Sequence, residues 1–310
     1  MTVHGNLEQF AGKPVKDFKT AGDITDFAAT APRLRCDYDD TLTLRDFLAL
    51  LLDEPGVSAT EALVFGLWME RGESFEVTPT GTIEMLVAMK EQLPAIRALF
   101  FGDIISEENE ISWIGQGDYS SLWGAFPKLE HFAVRGGNGL RLGTINHGTL
   151  HTLVIETGGL PGVVVQEALA ANAPIRHLEF WLGDENYGSN TSVEDFADLL
   201  AGKLFPELHT LALRNSEYSD AIAEAVAGAP VLDRIKVLDL SMGTLTDTGA
   251  RALIASGRLG HLDRLDISHH YVSEAVVEEL RAVTPNLVAE AALEPDEWDG
   301  EQHYYVAVSE

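Results

Sequence analysis

The chain is poor in three things: cysteine, positive charge and long apolar runs. A single cysteine, Cys36, in 310 residues permits no intramolecular disulfide. Packing must therefore hold the fold, and a reducing compartment is expected. Only 21 basic residues face 49 acidic ones, a formal net charge of −28. A surface that negative repels nucleic-acid phosphates and anionic lipid, so neither is expected as a partner. A protein partner would bring basic groups, although acidity on this scale also serves solubility. No window approaches the roughly 18 uninterrupted apolar residues of a membrane span. The opening MTVHGNLEQFAGKPVKDF has no apolar run that could serve as a signal peptide. A cytoplasmic protein is the expectation. Phosphate loops, paired CxxC, GxSxG and dinucleotide fingerprints are all missing. No cofactor, no resident metal and no catalytic residue is therefore expected.

What is present is periodicity. Leu208-x-x-Leu211-x-Leu213, Ile235-x-x-Leu238-x-Leu240 and Leu262-x-x-Leu265-x-Ile267 share one frame and recur every 27 residues, each followed by an amphipathic segment. One short strand, a turn and one helix per unit is the pattern of a leucine-rich repeat. The frame recurs upstream at Ala62-x-x-Phe65-x-Leu67, Ile96-x-x-Leu99-x-Phe101, Leu129-x-x-Phe132-x-Val134, Leu150-x-x-Leu153-x-Ile155 and Ile175-x-x-Leu178-x-Phe180. The expected fold is α/β: a leucine-rich-repeat solenoid (horseshoe) with a parallel sheet on the concave face and helices on the convex face. Residues 1–58 would be an N-terminal cap of strand plus helix, residues 59–284 about eight repeats, and residues 285–310 a C-terminal capping strand and tail.

Several local signals fit that division. Thr43 with Asp46 makes a capping box before a face of Leu44, Phe47, Leu48 and Leu51, and Pro55-Gly56 ends the helix. Leu34-x-Cys36-x-Tyr38 alternates as a strand does. Asp247, Ser219-Asp220 and Ser273 supply N-cap chemistry to the last helices. The eleventh frame position, expected to turn into the core, is Leu160, Tyr218, Leu245 and Val272 in four repeats, and glycine or polar elsewhere. The ninth position is never asparagine, so buried turn groups need other partners. In the last unit Glu290 falls where the fourth-position leucine belongs, and the frame decays. Tyr304–Val308 is strand-prone and is expected to pair with the exposed C-terminal edge.

The stretches LEFWLGDENYG, LALRNSEYSD, LDLSMGTLTDTGA and LDISHHYVSE carry a resemblance. The repeats are similar to the ribonuclease-inhibitor-like class, and more narrowly resemble a family of uncharacterised bacterial cytoplasmic leucine-rich-repeat proteins. The resemblance implies a cytoplasmic location and an interaction role, and brings no chemistry with it.

In a parallel repeat sheet the fourth and sixth positions face the core, while the third, fifth and seventh face the concave side. That places Trp68, Phe100, Arg135, Glu156, Glu179, Trp181, Arg214, Asp239 and Asp266 on the inner wall, with His269 on its ridge. Large rings on an open wall are typical binding anchors, unless an inserted loop folds over each. Asp239 and Asp266 on adjacent rungs repel one another, which suits a cationic group of a partner between them. The expected function is a non-enzymatic module that binds a protein or peptide with basic groups. An alternative is a metal- or cofactor-assisted enzyme, or an accessory subunit of one, built on Asp239, Asp266 and His269. Asp184–Asn190 has carboxylates like a calcium loop but lacks its glycine, and reads instead as a loop feeding a helix through the Ser192/Asp195 cap.

Overall fold

The computed structural model describes residues 3–37, 39–68 and 77–310. Among them no helix is long and apolar enough to cross a membrane. The chain divides into two compact units, one of residues 3–155 with 170–174 and one of residues 156–169 with 175–309.

In the first unit, strands β1 (Gln9–Phe10), β2 (Lys13–Asp17), β3 (Ala31–Leu34), β4 (Ala62–Phe65), β5 (Ala98–Phe101), β6 (His131–Arg135) and β7 (Thr152–Glu156) lie side by side in chain order. The pair β1–β2 is antiparallel, and from β2 to β6 each pairing is parallel. Between strands run α1 (Leu44–Leu52), α2 (Thr80–Ala88) and α3 (Ser120–Ala125). Helix α1 forms as its sequence dictates. Both halves of the Thr43/Asp46 capping box are made, and Leu44, Phe47, Leu48, Leu51 and Leu52 are buried. The strand expected at 34–38 lies earlier, at Ala31–Leu34, and Tyr38 falls outside the described residues. Behind the sheet, Phe65 stacks on Phe101 with centroids 4.3 Å apart, and Tyr119 and Trp123 each meet Phe132 edge-on at 5.1 Å.

The second unit holds β8 (His177–Gly183), β9 (Thr210–Ser216), β10 (Val237–Asp239), β11 (Arg264–Asp266) and β12 (Leu287–Val288), parallel and in chain order. Helices α4 (Gly162–Leu169), α5 (Ala197–Leu200), α6 (Ser219–Gly228), α7 (Asp247–Ser256) and α8 (Glu274–Val283) connect and flank them. Leu178, Leu211, Leu238, Leu265 and Leu287 stand in one column. Leu287, not Glu290, therefore fills the fourth position of the last unit, and the frame persists one strand further than expected.

The caps act sideways between units. The Asp220 carboxylate of α6 accepts from the Thr246 and Gly249 amides (2.8 and 3.0 Å) at the start of α7. Asp247 of α7 accepts from the Ser273 amide and hydroxyl (2.7 and 2.8 Å) at the start of α8. Each acid thus satisfies orphan donors of the next helix, where the helix dipole also favours negative charge. The Ser192/Asp195 capping box forms as expected. Hydroxyls take the place of the missing asparagine ladder. Thr244 Oγ1 donates to Ser216 and Glu217 carbonyls (3.2 and 2.9 Å), and Ser219 Oγ both donates to Ser216 O (2.8 Å) and accepts from the Thr244 amide (3.1 Å).

Candidate functional site

The sheet ladder first corrects the frame of one repeat. Leu63 pairs with Leu99, and Leu99 with Phe132, so Leu63 and not Phe65 holds the fourth position of β4. The slip is two residues, which preserves which side each residue faces. It moves Trp68 from the seventh position to the ninth, past the end of the strand. Its ring is buried (5% exposed) and its indole N–H donates to Val77 O at 3.1 Å. An inward-facing anchor at Trp68 is not what the fold builds.

In the first unit the third and fifth positions of the sheet form a second core. Ala31, Ala62, Val64, Ala98, Phe100, Ala133 and Val154 pack together under Phe10, with Leu7 and Val15 at the margin. Phe10 lies 5.9 Å from Phe100 and 4.8 Å from His131 by ring centroids. Phe100 is only 2% exposed. The covering segment is pinned by charge and hydrogen bonds: Asp103 Oδ1 accepts from the Leu7 amide (3.1 Å), and Arg33 donates to Asp103 Oδ2 (2.8 Å) and to Leu7 O (3.3 Å). Arg135 is buried too, donating to Ile104 O at 2.9 Å with its guanidinium 5.4 Å from the Phe100 ring centroid. Burying an apolar wall under an apolar lid gains roughly 25 cal/mol per Å². Phe100 and Arg135 therefore belong to the packing of this unit, and the expectation of an open wall here is overturned.

The second unit keeps a polar wall. Along β8 to β11 the third positions are His177, Thr210, Val237 and Arg264, all at least partly exposed. Below them the fifth and seventh positions hold a charge network. Arg214 donates to Glu179 Oε1 (2.7 Å) and to Ser241 Oγ (3.0 Å), and lies 3.5 Å from Asp239 Oδ2. Trp181, 6% exposed, donates its indole N–H to Glu179 Oε1 (2.8 Å), and Arg214 sits over its ring at 5.2 Å. Trp181 is thus a wall of the network, not a free ring. His177 Nε2 approaches Glu179 Oε2 at 3.2 Å.

Burial would push the Glu179 carboxyl up. The His177 contact, the Arg214 charge and the Trp181 N–H overcome that, and its pKa falls to about 2. Asp239 goes the other way. Burial, with the neighbouring Asp266, raises its pKa despite Arg214 and two hydrogen bonds from Ser241. Asp239 and Asp266 do pair across β10 and β11 as expected, but Asp266 is held by Arg264 of its own strand. The cation between the stripe's carboxylates is thus supplied in part by this chain. Glu156, half-buried, adds its negative charge near Arg214.

His269 finds its partners outside this group. It occupies a left-handed turn (φ 60), its Nδ1 is 3.3 Å from Gly243 O, and its ring meets Tyr271 edge-on at 6.3 Å. Burial lowers its pKa. Among the described residues no three His, Cys, Asp or Glu side chains are placed to hold a metal ion. Asp184 accepts from the Asn186 amide at 2.8 Å in a short 3-10 turn.

Sequence reasoning missed Asn215 altogether. Asn215, Met242 and His269 occupy the same frame position in three successive units, and all have positive φ (53, 69 and 60). Asn215 is fully buried, and its carboxamide donates to Thr157 O (3.3 Å) and Val308 O while accepting from the Val308 amide (3.0 Å). The segment after His303 does not pair with β12. Short strands β13 (Asp296–Trp298) and β14 (Glu301–His303) form their own antiparallel hairpin, and residues 304–308 then cross the turns of three units.

No protein-family profile matches the chain. No curated protein matches it in sequence. The fold does have counterparts of known structure: the chain superposes on the crystal structure of a Bacteroides fragilis protein, a structural-genomics target, with a TM-score of 0.76 and 27% identity over 89% of this chain and 76% of that one.

Proposed function

We propose that the chain is a cytoplasmic leucine-rich-repeat interaction protein, without enzymatic activity of its own, that binds a protein or peptide bearing basic groups on the wall of β8 to β11. The observation that carries this is a charge imbalance in a half-buried place. Three carboxylates, Glu179, Asp239 and Asp266, are grouped with two guanidiniums, Arg214 and Arg264. Arg214 is shared by Glu179 and Asp239, so the network remains short of positive charge. A lysine or arginine above Asp239 would complete it at little desolvation cost, since these groups are already partly dehydrated. The rest of the wall, Thr210 and Val237, is partly exposed and small enough to admit an incoming side chain. The repeat register and the long strand columns support the solenoid reading, and the strongly acidic composition supports the choice of partner.

The experiment is selection of displayed random peptides on the immobilised protein, followed by rebinding to a Thr210→Arg, Val237→Arg double variant. These substitutions fill and recharge the wall without removing a member of the network. Enrichment of Lys and Arg in the selected peptides, with rebinding lost in the variant, is the expected result. Peptides with no basic excess, or equal rebinding to the variant, would refute the siting.

A further inference from the structure

A different surface of the second unit already holds a peptide, and that peptide is the chain's own. Residues 304–308 lie across the turns that follow β9, β10 and β11, and nearly every polar contact they make is through their main chain. Tyr271 Oη donates to Tyr305 O (3.1 Å) and accepts from the Tyr305 amide (2.9 Å). The Ala307 amide donates to Met242 O at 2.8 Å. The Asn215 carboxamide donates to Val308 O and accepts from the Val308 amide (3.0 Å). Each of three successive units thus contributes one station that reads peptide backbone. Side chains add little: Tyr271 meets Tyr304 edge-on at 4.9 Å, and Val308 is the one residue of the segment that is buried.

Two features make this arrangement a receptor rather than ordinary packing. The stations are built independently of the segment. The left-handed turns at Asn215 and Met242 are fixed by their amides bonding to Ser241 O and Ser268 O (2.9 and 2.7 Å), as members of the repeat ladder. The segment, in contrast, hangs on an arm with no core. In the hairpin β13–β14 every residue is exposed except the half-buried His303, so withdrawing the arm uncovers little apolar surface.

We propose that the Asn215–Met242–Tyr271 row is a groove for an extended peptide, occupied in cis by residues 304–308, and that a second copy of this chain can supply the same segment in trans. The segment that fits every station is the one the protein carries, and an exchanged arm reproduces each contact unchanged. A short tether gives the cis segment an effective concentration in the millimolar range, so exchange is suppressed until the cis pairing is weakened. The groove is separate from the charged wall of β8 to β11, and its test does not depend on that wall.

The test is complementation between two full-length variants. Val308→Asp keeps the groove and spoils the segment; Asn215→Gly keeps the segment and removes the clamp, glycine tolerating the left-handed turn. Each alone should sediment as the lighter species, and their equimolar mixture should gain a species of twice the mass. Hydrogen exchange of the unaltered protein provides the second reading. The amides of Tyr305, Ala307 and Val308 should exchange by local release, at least about tenfold faster than those of Leu240 and Met242. A mixture that stays at the mass of its components while both variants retain native circular dichroism overturns the proposal. So does exchange of the segment's amides only with the ladder's own.

Discussion

Arg214 and Glu179, on neighbouring strands, make a 2.7 Å ion pair whose carboxylate also takes the Trp181 indole N–H. The pair is the fixed part of the polar wall. Both side chains are 14% exposed, so the charges interact in a medium much less screening than water.

The pH dependence of stability follows from that pair. Glu179 titrates near 2 in the fold and near about 4.3 in an unfolded chain. Its contribution is complete above about pH 5 and is lost as pH falls toward 2, on the order of 3 kcal/mol in all. The raised pKa of Asp239 acts in the opposite sense: its carboxylate form disfavours folding, so protonation as the pH falls relieves that cost. In Glu179→Gln the acid limb of stability should flatten. Urea midpoints of the two proteins measured from pH 7 to 2.5 check this, and parallel curves would contradict it.

Phe100 tests the covered face of the first unit. Phe100→Ala should cost about 3–5 kcal/mol, because the ring is enclosed by Phe10, Arg135 and the alanines of its sheet. Binding of a partner to the second unit should be unaffected. Guanidinium denaturation gives the first quantity, and a loss under about 1 kcal/mol would show an open ring.

The last repeat provides a register test. Leu287 pairs with Leu265 and is buried, whereas Glu290 is exposed. Leu287→Ala should lose roughly 2 kcal/mol, and Glu290→Leu should change stability by less than about 0.5 kcal/mol. The reverse order in thermal or urea melts would restore Glu290 to the column.

Asp220 tests the sideways caps. Asp220→Ala removes acceptors from the Thr246 and Gly249 amides of the following helix. A cost of about 1–2 kcal/mol is expected, and increased hydrogen exchange should be confined to the first turn of α7. Exchange rising instead within α6, which carries the residue, would show that its role is local.

The column of Leu211, Leu238 and Leu265 was legible because its spacing is regular and its neighbours are unambiguous. Around β4 the run ALVFGLW satisfies the frame at two offsets, two residues apart, and a period of two cannot distinguish them. At β12 only two residues pair, too few for a pattern. Burial of Phe100 had no sequence signal, since its cover comes from Phe10, ninety positions earlier in the chain. The acidic stripe was readable as a row, but its neutralisation by Arg264 depends on a side chain turning along its own strand. Strand propensity suggested the wrong place for Tyr304–Val308, because the groups that hold it are a carboxamide, a phenol and a turn carbonyl.

Calorimetric titration of the tightest selected basic peptide into the wild-type protein and the Thr210→Arg, Val237→Arg variant tests the polar wall most directly. Saturable binding to the wild type that weakens as salt is raised, and is at least about tenfold weaker in the variant, is the expected result. Equal affinity for both proteins would place the partner somewhere other than β8 to β11.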